Sequence, residues 1–303
     1  MAEVVVVHGI GQEFLGPELM EERVGPALRD GIRLAAGSGP TPEPVTVGCV
    51  FYGDLFFPSG TRGWELPPWD ETDVDEGLEA DLLAAWWERA AEVDPAVPGP
   101  YEPGTRGPVR FGVSRLLLSD RVRAALDALS GSRFFGLVSD RLLILALKQV
   151  RRYLAEPDLR QAVHARVASQ ISDDTVVLVG HSLGSVVAYE ALCAHPHWPV
   201  SDLITLGSPL AMRQVIFDRL LPRPVDGFGA WPGGVRRWSN IADPGDIVAL
   251  PGRLAPRFGE RVQDHHISNG VRMHDLARYL TAATTGSAIA RGLGRADGFT
   301  SGS

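Results

Sequence analysis

Thr175-Val-Val-Leu-Val-Gly180-His181-Ser182-Leu183-Gly184-Ser185-Val186-Val187-Ala188 is the stretch on which the reading of this chain turns. Thr175–Val179 is a short, β-rich apolar run of the kind that forms a buried strand, and Leu183–Ala194 continues as a helix of mostly small and apolar residues. Gly-x-Ser-x-Gly lies between them. In a chain with 34 glycines the five letters alone say little, but a strand directly before them and a helix directly after are the setting that makes the pattern meaningful. A serine on so sharp a turn has a strained backbone, and side chains two residues away on either side would strike the strand and helix. Gly180 and Gly184 remove those collisions. The first N–H groups of the helix then favour negative charge developing at the turn. Ser182 is therefore the candidate nucleophile.

Outward from this point the pattern is an alternation of strands and helices. Val4–Val7 is a β-branched run followed by His8-Gly9-Ile10-Gly11. Apolar positions at helical spacing (Leu19, Met20, Val24, Leu28, Ile32) lead to a second strand over Val45–Tyr52, giving a β-α-β unit and hence a parallel sheet. The alternation stops over 58–156. That stretch holds a Pro/Trp loop and helix candidates near 73–92, 115–129 and 136–154, acidic first and basic later. After Pro157 it resumes with a helix at 158–170, strands at 175–179, 203–206 and 235–241, and a helix near 274–283. The Gly- and Ser-rich end, 286–303, reads as a flexible tail.

The bulk properties narrow the function. The chain has 303 residues, 45% apolar and 22% charged, as in ordinary globular proteins. Its net charge of −8 argues against nucleic acid as a partner. Two cysteines, Cys49 and Cys193, in apolar surroundings cannot form a disulfide framework. No signal peptide is visible at the N-terminus and the apolar run Leu142–Leu147 is too short to span a bilayer, so the expected location is cytoplasmic. No metal or cofactor is expected. His265-His266 lacks ligand spacing, and Gly9-Ile-Gly11 lacks the third glycine of a dinucleotide fingerprint.

A serine needs a base, and in enzymes built on this turn an acid and then a histidine follow the serine along the chain. His274, which opens the last helix, is the first choice of base, with His266 in a candidate final strand (262–268) as the alternative. Asp246 and Asp243, in Ala242-Asp-Pro-Gly-Asp-Ile-Val248, compete for the acid. Asp246 is preferred because Asp243 precedes Pro244 and is suited to cap the turn. An oxyanion hole needs two backbone donors, here Leu183 N–H and, from the loop after the first strand, Ile10 N–H, with Gly11 as the alternative to Ile10.

Val7-His8-Gly9-Ile10-Gly11, Gly180-His-Ser182-Leu-Gly184, Leu203-Ile-Thr-Leu-Gly207-Ser208-Pro209 and Asp246-Ile-Val-x-x-Pro251 together resemble the lipase/esterase branch of the α/β-hydrolases, in particular lipases and GPI-inositol-deacylase-like hydrolases. The resemblance implies an α/β-hydrolase fold, a mostly parallel sheet flanked by helices. Its core would cover 1–57 and 157–285, and 58–156 would be a helical, lid-like insertion. It further implies hydrolysis of a carboxylic ester with an acyl or lipid-like group through an acyl-enzyme, with Ser182, His274 and Asp246 as the triad. A peptidase, amidase or thioesterase on the same scaffold, or a binding protein that keeps the fold, are the alternatives. The insertion is expected to line an acyl pocket with residues 134–154 and with Trp64, Trp69, Trp86 and Trp87. A peripheral membrane contact through its basic end (Lys148, Arg151, Arg152) is a further expectation.

Overall fold

The structure is a computed structural model that describes residues 1–12, 14–39, 43–57, 66–100, 115–130, 132–134 and 139–295. It divides into two compact units, Met1–Phe56 with Asp158–Ser303, and Phe57–Pro157.

The first unit is built on six strands: β1 (Val4–Val7), β2 (Val47–Val50), β3 (Val177–His181), β4 (Asp202–Leu206), β5 (Arg237–Ala242) and β6 (Val262–His266). All pair in parallel, in the order β2-β1-β3-β4-β5-β6. In that order the chain first steps one way, from β1 to β2, and then crosses back past β1 to β3. The loops after β1 and β3 therefore diverge at the C-terminal edge, which is where open parallel sheets bind ligands. β1, β3 and β4 are buried along their whole length, which explains why they read as continuous apolar runs.

Helix α1 (Pro17–Ala36) crosses one face of the sheet, where Met20, Val24, Leu28 and Ile32 pack with Val4, Val6, Val177, Val179, Ile204, Leu206 and Ile241. In the second unit, α2 (Leu78–Val93), α3 (Arg115–Ser130) and α4 (Asp140–Ala155) follow one another. The first unit then continues with α5 (Pro157–Ala168), α6 (Leu183–Ala194), the short α7 (Ala255–Phe258), α8 (Leu276–Thr281) and α9 (Ala283–Gly292). Tyr189 of α6 stacks on Trp238 of β5, with ring centroids 5.7 Å apart.

The expected tail beginning at Gly286 is corrected. Residues 283–292 form α9, with Ala288, Ile289 and Ala290 buried. Its small residues serve close packing. A methyl group built on Gly286 would sit 2.0 Å from the Gly31 carbonyl oxygen, so α9 meets α1 backbone to backbone. Residues 296–303 lie outside the described residues.

In the second unit Glu79 is fully buried and accepts from Arg151 Nε (2.6 Å), Lys148 Nζ (3.4 Å) and the Asp75 N–H (3.0 Å). Glu71 pairs with Arg123, Asp94 with Arg133 and Arg152 with Glu156. The charges of the basic end thus have local partners. Trp86 and Trp87 are buried, the indole N–H of Trp87 donating to the Pro98 carbonyl (2.7 Å), as core side chains are. Trp64 and residues 135–138 lie outside the described residues. No described helix is long and apolar enough to cross a membrane.

Candidate active site

A single residue joins β3 to α6. Ser182 follows His181 directly and precedes Leu183, with φ 54° and ψ −129°, a left-handed conformation that non-glycine residues seldom adopt. Several contacts hold it there. Ser182 N–H donates to the Leu206 carbonyl (3.0 Å), and its own carbonyl accepts from Ser185 N–H (2.9 Å) and Ser185 Oγ (2.6 Å). Ser185 Oγ lies 2.7 Å from Ser208 Oγ, which ties the turn to the Gly207-Ser208-Pro209 segment after β4.

The glycines act by steric necessity. A methyl group on Gly180 would lie 2.5 Å from Ser185 Cα, and one on Gly184 would lie 2.3 Å from both the Val7 and His8 carbonyl oxygens. The elbow is thus pressed against the end of β1. Gly9, in the loop beyond, reaches the serine itself, since a methyl there would lie 2.5 Å from Ser182 Cβ and 3.0 Å from Oγ.

His8 organises that loop. It is buried, stacks on Tyr52 (4.2 Å between centroids, 4° between planes) and sits with Nδ1 2.6 Å from the Gly9 carbonyl. Tyr52 N–H donates to Nε2 (3.3 Å), and Tyr52 OH donates to the His8 carbonyl (2.5 Å). A backbone N–H can only donate, so Nε2 is the acceptor and Nδ1 carries the proton given to Gly9. Burial lowers the His8 pKa to about 4, which keeps this neutral tautomer in place. With the Gly9 carbonyl fixed, the trans geometry of the peptide fixes the opposite direction for Ile10 N–H.

The candidate acid and base come from the other half of the sheet edge. His274 Nδ1 lies 2.7 Å from Asp246 Oδ2. Asp246 is buried. Its Oδ1 accepts from the Val248 N–H (2.9 Å) and Ala249 N–H (3.4 Å), and its Oδ2 also accepts from Tyr279 OH (2.8 Å). The His274 ring lies 4.7 Å from that of His181, the residue before Ser182. Among the described residues His274 Nε2 is buried without a hydrogen-bond partner, and no bond to Ser182 Oγ is formed. Such contacts commonly tighten only with substrate bound. His181 is held neutral, its pKa pushed well below the ordinary histidine value by burial first and by His274 second.

The two alternatives fall elsewhere. Asp243 accepts from Gly245 N–H (2.7 Å) and from Asn269 N–H (2.5 Å), so it caps its own turn and clamps the loop that carries His274. His266 is exposed at the end of β6. Tyr279, Asn269, Tyr52 and the Ser185–Ser208 pair were not legible as site residues. A tyrosine on an amphipathic helix reads as core, and nothing in the sequence marks its hydroxyl partner. Among the described residues, no group of three or more His, Cys, Asp or Glu stands together as a metal site would require.

Residues 149–226 match the family described as PGAP1-like alpha/beta domain. The match runs from within α4 through the elbow to beyond β4, and Ser182 lies inside it while Asp246 and His274 lie beyond it. Six parallel strands flanked by helices, with this domain at their centre, decide the architecture. The fold is that of an α/β-hydrolase. Comparison with curated proteins finds no match. In the hydrolase fold the nucleophile belongs on the turn after the central strand, and that is where Ser182 stands.

Proposed function

We propose that this chain is a serine hydrolase that cleaves carboxylic esters of acyl or lipid-like substrates through an acyl-enzyme. One observation carries the reading: a 2.7 Å Asp246–His274 pair whose imidazole packs 4.7 Å from the residue preceding a conformationally strained Ser182. In the proposed cycle, Ser182 Oγ attacks the ester carbonyl carbon and its proton passes to His274 Nε2. Asp246 keeps Nδ1 protonated and balances the imidazolium charge. Leu183 N–H and Ile10 N–H receive the negative oxygen of the tetrahedral intermediate, and the fixed Gly9 carbonyl supports the role of Ile10. Collapse breaks the C–O bond, and the imidazolium gives its proton to the departing alcohol. Water, deprotonated by His274, then attacks the acyl-serine; the acyl–Oγ bond breaks, the imidazolium returns its proton to Ser182 Oγ and the acid is released.

The ester preference rests on the lipase-like motifs around the elbow together with the family match over the same segment. The test is labelling by a fluorophosphonate, which reports an activated serine, followed by a panel of esters, thioesters and peptide amides. Labelling of the wild type and not of Ser182→Ala, with esters as the preferred substrates, supports the reading. Equal labelling of both proteins would remove Ser182 from its role. Each acyl methylene buried in a pocket is worth about 0.8 kcal/mol, so kcat/KM should climb several-fold per methylene from acetyl to medium-chain esters. A fall beyond acetyl would exclude an acyl-binding site.

A further inference from the structure

The hydroxyl of Tyr279 is a buried polar group at this site for which the cycle above has no use. We infer that Tyr279 is a positioning residue that weakens the hold of Asp246 on His274 and so sets the pH at which the base becomes available. The inference rests on the reading of Asp246 and His274 as the acid–base pair.

Hydrogen-bond directions fix what the hydroxyl does. Asp243 N–H lies 2.9 Å from the phenol oxygen and can only donate to it. The single proton of the phenol is then left for Asp246 Oδ2 at 2.8 Å. Oδ2 is also the oxygen that faces His274 Nδ1 at 2.7 Å, so two donors share one acceptor. The other oxygen is occupied by the N–H groups of Val248 and Ala249. A carboxylate with four donors delocalises its charge into them, and every donor that competes with the imidazole reduces the extra stabilisation given to the imidazolium form. Tyr279 itself stays protonated. Burial, and after it the negative charge of Asp246, push its pKa above the ordinary phenol value.

The ring is placed for this role. Tyr279 is fully buried, and a methyl group on Gly207 would lie 2.9 Å from Asp246 Oδ2 and 3.1 Å from Tyr279 Cε2. Only glycine at 207 lets carboxylate and phenol meet. Asp243 completes the frame, because its N–H holds Tyr279 while its carboxylate holds Asn269 N–H in the loop before His274. A phenylalanine would fill the same core volume without either bond.

Other charged or titratable groups lie around His274. Asp246 and Asp243 come from the turn after β5, and His181, with His8 behind it, from the ends of β3 and β1. Arg272 is on the same loop. Asp275 and Arg278 are at the start of α8, where the Asp275 side chain accepts from Arg278 N–H. Of these, a change confined to the 279 hydroxyl touches only the Asp246 carboxylate and the Asp243 N–H directly, so a shift reads the bond to Asp246.

The experiment compares the full-length wild type with Tyr279→Phe and with a protein carrying 3-fluorotyrosine at 279. The fluorinated phenol is a stronger donor and keeps both bonds and the fold. The pH dependence of kcat/KM and the NMR titration of the His274 ring are read in each. Removing the hydroxyl should move the acid limb and the His274 midpoint up by about half a pH unit and lower kcat/KM at pH 7 by no more than about three-fold. The fluorophenol should move both down by a few tenths of a unit. Opposite shifts support the inference. An unmoved midpoint, or shifts of the same sign, overturn it, and so does a loss of rate without a shift. If Tyr279→Phe fails to fold, the fluorotyrosine protein decides alone. Activity that survives Ser182→Ala would count against the catalytic reading, while the NMR midpoint would still test Tyr279.

Discussion

The two halves of the site are held in place by different physics. At the elbow, main chain is pressed against main chain. Gly180, Gly184 and Gly9 stand where any side chain would lie within 2.5 Å of a neighbouring atom, and Ser182 keeps a positive φ because its surroundings leave it no other. At the acid–base end the parts are separated and polar. Asp246, Asp243, Tyr279, Asn269 and His274 are joined by hydrogen bonds, most of them between 2.5 and 2.9 Å. Steric fit tolerates no substitution but leaves no role for charge, whereas a hydrogen-bonded frame accepts isosteric changes and responds through charge. Substitutions at the first end should cost stability, and substitutions at the second should cost rate.

The largest expected effect lies where the halves meet. Ser182→Ala and His274→Ala should each lower kcat by about 10⁶, and the double variant should be little worse, because triad members act as a unit. Steady-state kinetics of the three proteins checks this; additive losses would mean that the two side chains do not share a step. Next comes the comparison within the polar end. Asp246→Asn should lower kcat by about 10⁴, since an amide can present its N–H to His274 and favour the wrong tautomer. Asp243→Asn keeps the acid and loses the clamp on Asn269 N–H, so a fall of only about ten-fold is expected, with a lower melting temperature. A larger kinetic loss in Asp243→Asn would exchange the roles of the two carboxylates.

Gly184→Ala sharpens the contrast. Its methyl group would meet two carbonyl oxygens at 2.3 Å, both of them backbone at the end of β1, and neither can move without shifting a central strand. A loss on the order of 4 kcal/mol in denaturant unfolding is expected, at the upper end for overpacking. Should Gly184→Ala be as stable as wild type yet inactive, the glycine would be serving the reaction and not the fold.

The same contrast explains what the sequence made legible. Strand and helix periodicity, and glycines that no other residue can replace, are local signals; β1, β3, α6 and the elbow could be read from Val4–Gly11 and Thr175–Ala194 alone. Asp246 and His274 were preferred from their places in the chain, and the structure brings them together. The frame around them was invisible because a hydrogen bond such as Tyr279 to Asp246 joins residues 33 positions apart and imposes no periodicity. The Gly- and Ser-rich end was misread for the opposite reason. Small residues there mark the contact of α9 with α1, and composition alone does not separate close packing from lack of structure.

His8 belongs to both halves, a polar side chain that holds the steric end, and its effect should be the smallest. Its pKa is near 4 in the folded protein against an ordinary 6.5, so between those values the unfolded chain binds a proton that the folded one does not. Stability contributed by neutral His8 is therefore complete above about pH 6.5 and is lost as pH falls through that window toward 4. The shift corresponds to at most about 3 kcal/mol. The physical cause is burial, which penalises the charged imidazolium; a protonated ring would also give up the acceptor site used by Tyr52 N–H. His181 and His265, whose pKa values are also lowered by burial, steepen the wild-type curve in the same direction. A variant is needed to isolate His8. His8→Gln should be less stable than wild type at pH 7, and the gap should close as the pH is lowered to 4, because the variant has no proton to take up at this position. Denaturant melts at several pH values measure the gap directly. Parallel curves would show that His8 takes up its proton alike in the folded and unfolded protein, and the neutral tautomer that fixes the Gly9 carbonyl and Ile10 N–H would then not be held by burial.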